Sequence, residues 1–152
     1  MSEASETGHC NSAEARQFDF WLGEWDLSWG EGGRGKNRIS KEHGGCVIQE
    51  KFDGRPGMAF TGMSVSVYNP RRGVWQQTWV DSNGTYLDLE GGFDGGEMIL
   101  MCERDVEGKN ALLRMVFHNI QDDALDWRWE RSFDGGESWE PRWEIHYERA
   151  RE

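Results

Sequence analysis

Glycine- and aspartate-rich turn signals recur along this chain at short, even intervals, and that pattern admits few folds. They stand at Gly30 to Gly35, Gly44-Gly45, Asp53 to Gly57, Asn69 to Gly73, Asn83-Gly84, Asp94 to Gly96, Asp105 to Gly108, Asp122-Asp123 and Asp134 to Gly136. Nine turns delimit ten segments, and most segments alternate and are rich in Val, Ile, Trp, Tyr, Phe and Thr, as strands are. No second helix of useful length interrupts them. Strands in this rhythm form a sandwich or a barrel, and a barrel also removes exposed edges. The expectation is an all-β domain: a closed antiparallel barrel of roughly ten strands over residues 18-152. Residues 1-17 form a disordered or helical N-terminal segment, with disorder over 1-11. A short helix follows, with Asn11 or Ser12 as N-cap and Glu14 in its first turn. Strand one is expected over Gly23 to Trp29.

Length and charge narrow the function classes. At 152 residues one domain is the natural reading. The net charge of −11 argues against nucleic acid, which requires clustered Lys and Arg, and against anionic membrane surfaces. No apolar run approaches the ~20 residues of a membrane helix. Met1 to Gln17 holds no apolar segment, so no signal peptide is expected there and the cytoplasm is the expected location. Cys10, Cys46 and Cys102 are odd in number, widely spaced and without metal-ligand spacing, so neither a disulfide framework nor a metal site is expected.

Two hairpins can be put in register. A two-residue type I′ turn at Asn83-Gly84 pairs Ser82 with Thr85, Asp81 with Tyr86, Val80 with Leu87, Trp79 with Asp88 and Gln77 with Glu90. One face then carries Thr78, Val80, Leu87 and Leu89. The other carries Trp75, Gln77, Trp79, Asp81, Tyr86, Asp88 and Glu90. Parity does not say which face is inside. The aromatic and polar face is read as lining a ligand pocket, since such pockets combine rings with a few hydrogen-bonding groups. An outer or dimer-facing surface and plain core are the alternatives. In the second hairpin, Trp129 opposite Trp143 brings Trp127 to Ile145, Arg128 to Glu144 and Glu130 to Arg142. That register gives an apolar inner face and an outer ladder of opposite charges.

The aromatic stretch Phe18-Asp19-Phe20-Trp21-Leu22-Gly23-Glu24-Trp25 contains a Gly-x-Trp that resembles the lipocalin and calycin signature. The resemblance implies that Trp25 plugs the closed end of the barrel, with an Arg from the last strand lying across it: Arg149 first, Arg151 second. Closure by itself makes the first and last strands antiparallel neighbours, and an Arg over an indole is a stabilising contact. Together with Ser66-Val67-Tyr68-Asn69, Trp75-Gln76-Gln77-Thr78-Trp79-Val80-Asp81 and Trp143-Glu144-Ile145-His146-Tyr147-Glu148-Arg149, the opening string resembles a group of mostly bacterial, uncharacterised lipocalin-like proteins. That resemblance spans about residues 18 to 149 and implies a fold without an activity. Ser132, Asp134, Gly136 and Trp139 resemble an Asp-box, a hairpin device in which the Asp accepts backbone N–H groups and the Trp packs beneath.

Three functions follow as expectations. The first is binding of a small, partly apolar molecule inside the barrel by Trp75, Gln77, Trp79, Asp81, Tyr86, Asp88 and His118. The second is an enzyme of isomerase, cyclase or hydratase type that uses cavity acids with His118. The third is haem binding, as in the nitrobindins of the same superfamily. Those carry further glycines where Asp26-Leu27-Ser28 stands here, and His146 falls on the charged outer face. No cofactor is expected under the first reading, and the expected partners are a small-molecule ligand and a second copy of the chain, with neither nucleic acid nor membrane.

Overall fold

The computed structural model describes residues 10–151. Ten strands follow one another: β1 Gly23–Trp29, β2 Gly33–Glu42, β3 Val47–Asp53, β4 Thr61–Asn69, β5 Val74–Asp81, β6 Tyr86–Asp94, β7 Glu97–Val106, β8 Lys109–His118, β9 Ala124–Ser132 and β10 Glu140–Arg149. Each pairs antiparallel with its neighbour in sequence, and β10 returns to β1, closing the barrel. Closure satisfies every edge, so an acidic chain of modest apolar content needs no second sheet to cover one. The inward positions read off the alternation: Trp25 and Leu27 on β1, Ile48 and Phe52 on β3, Met98 and Leu100 on β7, and Met115 and Phe117 on β8 are all buried.

The N-terminal segment closes one end. Two short 3-10 turns, Glu14–Arg16 and Asp19–Trp21, replace the expected helix. Ala13, not Asn11 or Ser12, holds the N-cap position of the first turn, and Ser12 Oγ one residue ahead of it accepts the Ala15 N–H at 3.1 Å. Phe18 stacks on Trp21 with centroids 4.8 Å apart and meets Trp75 and Phe117 edge-on at 5.3 and 5.2 Å. Above this cluster Trp25 pairs with Arg149 across β1 and β10, and the guanidinium carbon sits 4.2 Å from the indole centroid. Arg149 donates to the carbonyls of Leu22 at 2.6 Å, Phe20 at 3.3 Å and Asp122 at 2.7 Å. Arg149 is therefore the closing residue, and Arg151 is not. Gly23 has φ +122, and a Cβ there would lie 2.5 Å from an Arg149 guanidinium nitrogen, so only glycine leaves the fork its place.

The structure corrects further expectations. Cys10 and Cys46 form a disulfide, which ties the N-terminal segment to the β2–β3 turn, and Cys102 is the buried thiol left over. Spacing along the chain conceals this pairing, because the barrel brings the closed-end turn beside a segment 36 residues away. The remaining expectation of disorder over residues 1–11 falls almost wholly outside the described residues.

The β5–β6 register differs by one residue. Val80 faces Tyr86, Trp79 faces Leu87 and Gln77 faces Leu89, with residues 81–85 forming the loop. Asp81 causes the longer loop: its carboxylate accepts the N–H groups of Asn83 at 2.9 Å and Thr85 at 3.2 Å. The slip transfers all of β6 to the opposite faces. Leu87 and Leu89 join Trp75, Gln77 and Trp79 inside, while Tyr86, Asp88 and Glu90 point outward with Thr78 and Val80.

The β9–β10 register holds at Trp129–Trp143, Arg128–Glu144 and Trp127–Ile145. A bulge then places Pro141, not Arg142, opposite Glu130. Glu130 instead pairs with Arg114 at 2.7 Å and Arg128 at 3.0 Å. At the tip of this hairpin Ser132 Oγ accepts the Gly136 N–H at 2.9 Å, Asp134 accepts the Ser138 N–H at 2.9 Å, and Trp139 donates to the Gly136 carbonyl at 3.1 Å. Ser132, Asp134, Gly136 and Trp139 thus form the turn that the Asp-box resemblance implies.

Candidate functional site: an aromatic cavity in the barrel

The turns joining β1–β2, β3–β4, β5–β6, β7–β8 and β9–β10 lie at the end opposite the Trp25 plug. Beneath them the barrel encloses a cavity of about 310 Å³. Phe52, Phe60, Trp79, Trp127, Trp129 and Trp143 line its walls, with Leu87, Leu113, Met115 and Ile145 between them. Trp21, Phe117, Tyr147 and Glu50 line its deeper part, and Asp81 and Thr85 its mouth. The rings brace one another: Trp143 meets Trp127 edge-on at 5.7 Å and Phe52 at 6.0 Å, and Phe52 meets Trp79 at 6.0 Å. Edge-to-face contacts of this kind hold the walls in place without filling the space between them.

The cavity's polar groups are few and specific. Glu50 is buried on β3 and accepts from Asn37 Nδ2 at 2.8 Å and Ser64 Oγ at 2.6 Å. Burial raises the Glu50 carboxyl above its ordinary range, against those two hydrogen bonds, which favour the ionised form. Asn37 Nδ2 also donates to the Tyr147 hydroxyl at 2.9 Å. Burial, and then the charge of Glu50, push the Tyr147 phenol far up, so it remains neutral. Two groups of this inner network lack partners: the Trp21 indole N–H and the Asn37 side-chain oxygen. At the mouth, partial burial opposes ionisation of Asp81. Hydrogen bonds from Trp79 Nε1 at 2.9 Å and from the Thr85 and Asn83 backbone outweigh it and hold the carboxyl low.

The expected site residues divide accordingly. Trp79 and Asp81 line the cavity. Trp75 and Gln77 face inward but deeper: Trp75 belongs to the closed-end aromatic cluster, and Gln77 Nε2 donates to Ser66 Oγ at 3.0 Å. Tyr86 and Asp88 are corrected to the outer surface by the register slip, and Tyr86 is 58% exposed. His118 is corrected too. It has the opposite parity to Met115 and Phe117, and it lines a shallow outer groove with Asp126 and His146. In that groove His146 Nδ1 lies 2.7 Å from Asp126 Oδ1, which raises the imidazole pKa. No histidine lines the cavity among the described residues.

Glu50 escaped the sequence reading. Its signal was parity: Ile48, Glu50 and Phe52 alternate on one side of β3, with two apolar neighbours pointing inward. Trp127, Trp129 and Trp143 were legible as an inner apolar face, yet nothing in their spacing marked them as cavity walls.

A family model described as "Protein of unknown function (DUF1579)" matches residues 19–149. No curated protein matches the chain.

Proposed function

The chain belongs to that family of unknown function, and we propose that it binds a small, partly apolar molecule inside the barrel. The cavity carries this reading: about 310 Å³ of space walled by six aromatic rings, with a buried carboxyl and a phenol in its depth. Ligand pockets have this size and this proportion of apolar wall to placed polar groups. Glu50 also supports a second reading, an acid–base enzyme. A carboxyl raised by burial beside a neutral phenol is suited to moving a proton on a bound substrate. His118 has no part in that version, since it lies outside the barrel. The Cys10–Cys46 bridge favours an oxidising compartment over the cytoplasm, where disulfides are rare.

Binding is tested with N-phenyl-1-naphthylamine, a neutral diarylamine that brightens in apolar surroundings. Saturable one-to-one binding is expected, weakened about tenfold in Trp79→Ala through loss of a wall ring, with circular dichroism unchanged. Absence of saturation in the wild-type protein overturns the reading.

A further inference from the structure

The balance of charges and donors in the cavity points to the class of molecule it takes. Its lining includes two carboxyl groups, Glu50 at depth and Asp81 at the mouth, and no Lys, Arg or His among the described residues. Three donors hold Asp81: the Trp79 indole and two backbone N–H groups. Glu50 receives two donors for its two oxygens, which leaves lone pairs unmet. Asn37, the side chain that ties Glu50 to Tyr147, is 2% exposed, and its own oxygen has no donor. The unspent donors of this region are the Trp21 N–H and the Tyr147 O–H, against two oxygens of Glu50 and one of Asn37. Acceptors therefore exceed donors around Glu50, and unmet buried acceptors are costly.

We propose that the cavity takes a small organic ammonium ion, an arylalkylamine seated with its nitrogen at Glu50 and its ring among the tryptophans. The inference rests on the binding function proposed above. An ammonium group brings up to three donors and a charge to the place where acceptors are in excess. Trp79, Trp127, Trp129 and Trp143 receive the ligand's ring while the carboxyl takes its nitrogen, so the walls and the carboxyl act on the same ligand. A carboxylate ligand would meet Glu50 and Asp81 with no countercharge. A neutral alcohol would supply a single donor. The net charge of −11 also favours cations on the way in.

Three compounds of nearly one shape decide between these chemistries: 2-phenylethylamine, 2-phenylethanol and 3-phenylpropionate, each competing with N-phenyl-1-naphthylamine at pH 7. The amine is expected to displace the probe at about tenfold lower concentration than the alcohol, with the carboxylate weakest. Glu50→Gln is expected to bring the amine to within about threefold of the alcohol. Equal competition by alcohol and amine in the wild-type protein overturns the inference, and that ranking requires no variant to fold. So does an amine preference that survives Glu50→Gln. A probe that binds without preference for the amine overturns this inference alone. A probe that finds no saturable site overturns the binding function itself.

Discussion

Barrel closure at Trp25 and Arg149 should behave as a coupled unit. Trp25 is 1% exposed, meets Tyr147 edge-on at 5.6 Å and donates to the Trp21 carbonyl at 2.8 Å. Trp25→Ala leaves a large void and an unmet carbonyl, so a loss of about 3–5 kcal/mol is expected. Arg149→Ala strips the donor from three carbonyls at once. Those bonds are charge-assisted but border on solvent, so about 2–3 kcal/mol is expected for the set. The guanidinium lies over the indole at 4.2 Å, close enough for a cation–π coupling of about 1 kcal/mol. A double-mutant cycle measured by urea unfolding, followed by far-ultraviolet circular dichroism, isolates that coupling. The double alanine variant approaches the whole stability of a small domain, so Trp25→Phe provides a second, gentler cycle. Arg149→Lys keeps the charge but not the planar fork, and it should recover less than half of the alanine loss. Additivity within about 0.3 kcal/mol would refute the stacked closure.

Further outcomes follow from the outer face and the turns. His146 is raised above its ordinary 6.5, first by its hydrogen bond to Asp126, so its contribution is full below 6.5 and is lost as pH rises through the folded-state pKa. His146→Gln should flatten the fall in melting temperature above pH 6.5, and an unchanged profile would count against the pair. Hydrogen bonds from Ser138 hold Asp134 near about 2, so its contribution is present above 3.8 and disappears as pH falls through that lower value. Asp134→Ala should lower the melting temperature at neutral pH and leave probe affinity unchanged; altered affinity at unchanged stability would contradict the purely structural role. Gly91→Ala drives a Cβ into the Ile99 carbonyl oxygen and should cost about 1–3 kcal/mol in urea unfolding, against no change if the β6–β7 backbone can yield.

The barrel was legible because turn chemistry and alternation are local. Gly23 to Trp29 emerges as β1 with its predicted ends, and Trp25 meets Arg149 because closure forces the first and last strands together. The site was less legible because faces depend on one residue of register. Asn83-Gly84 reads as a two-residue turn, but the Asp81 carboxylate gathers two backbone N–H groups and draws three more residues into the loop. That contest between a side-chain cap and a turn preference moved Tyr86 and Asp88 outside and Leu87 inside. The Cys10–Cys46 pairing and the Glu50–Asn37–Tyr147 network join residues far apart in sequence, and no local pattern carries such contacts.

The central claim is occupancy of the barrel, and fluorine NMR of protein labelled with 5-fluorotryptophan tests it most directly. Five of the nine tryptophans line the cavity: Trp21, Trp79, Trp127, Trp129 and Trp143. Trp139 lies on the outer hairpin with Arg114 3.8 Å over its ring, and Trp25 sits in the plug. On titration with N-phenyl-1-naphthylamine, the resonances of Trp79, Trp127, Trp129 and Trp143 should move together along one saturation curve, while those of Trp25 and Trp139 stay in place. Shifts confined to Trp139, or no saturable shift among the four wall residues, would contradict the claim.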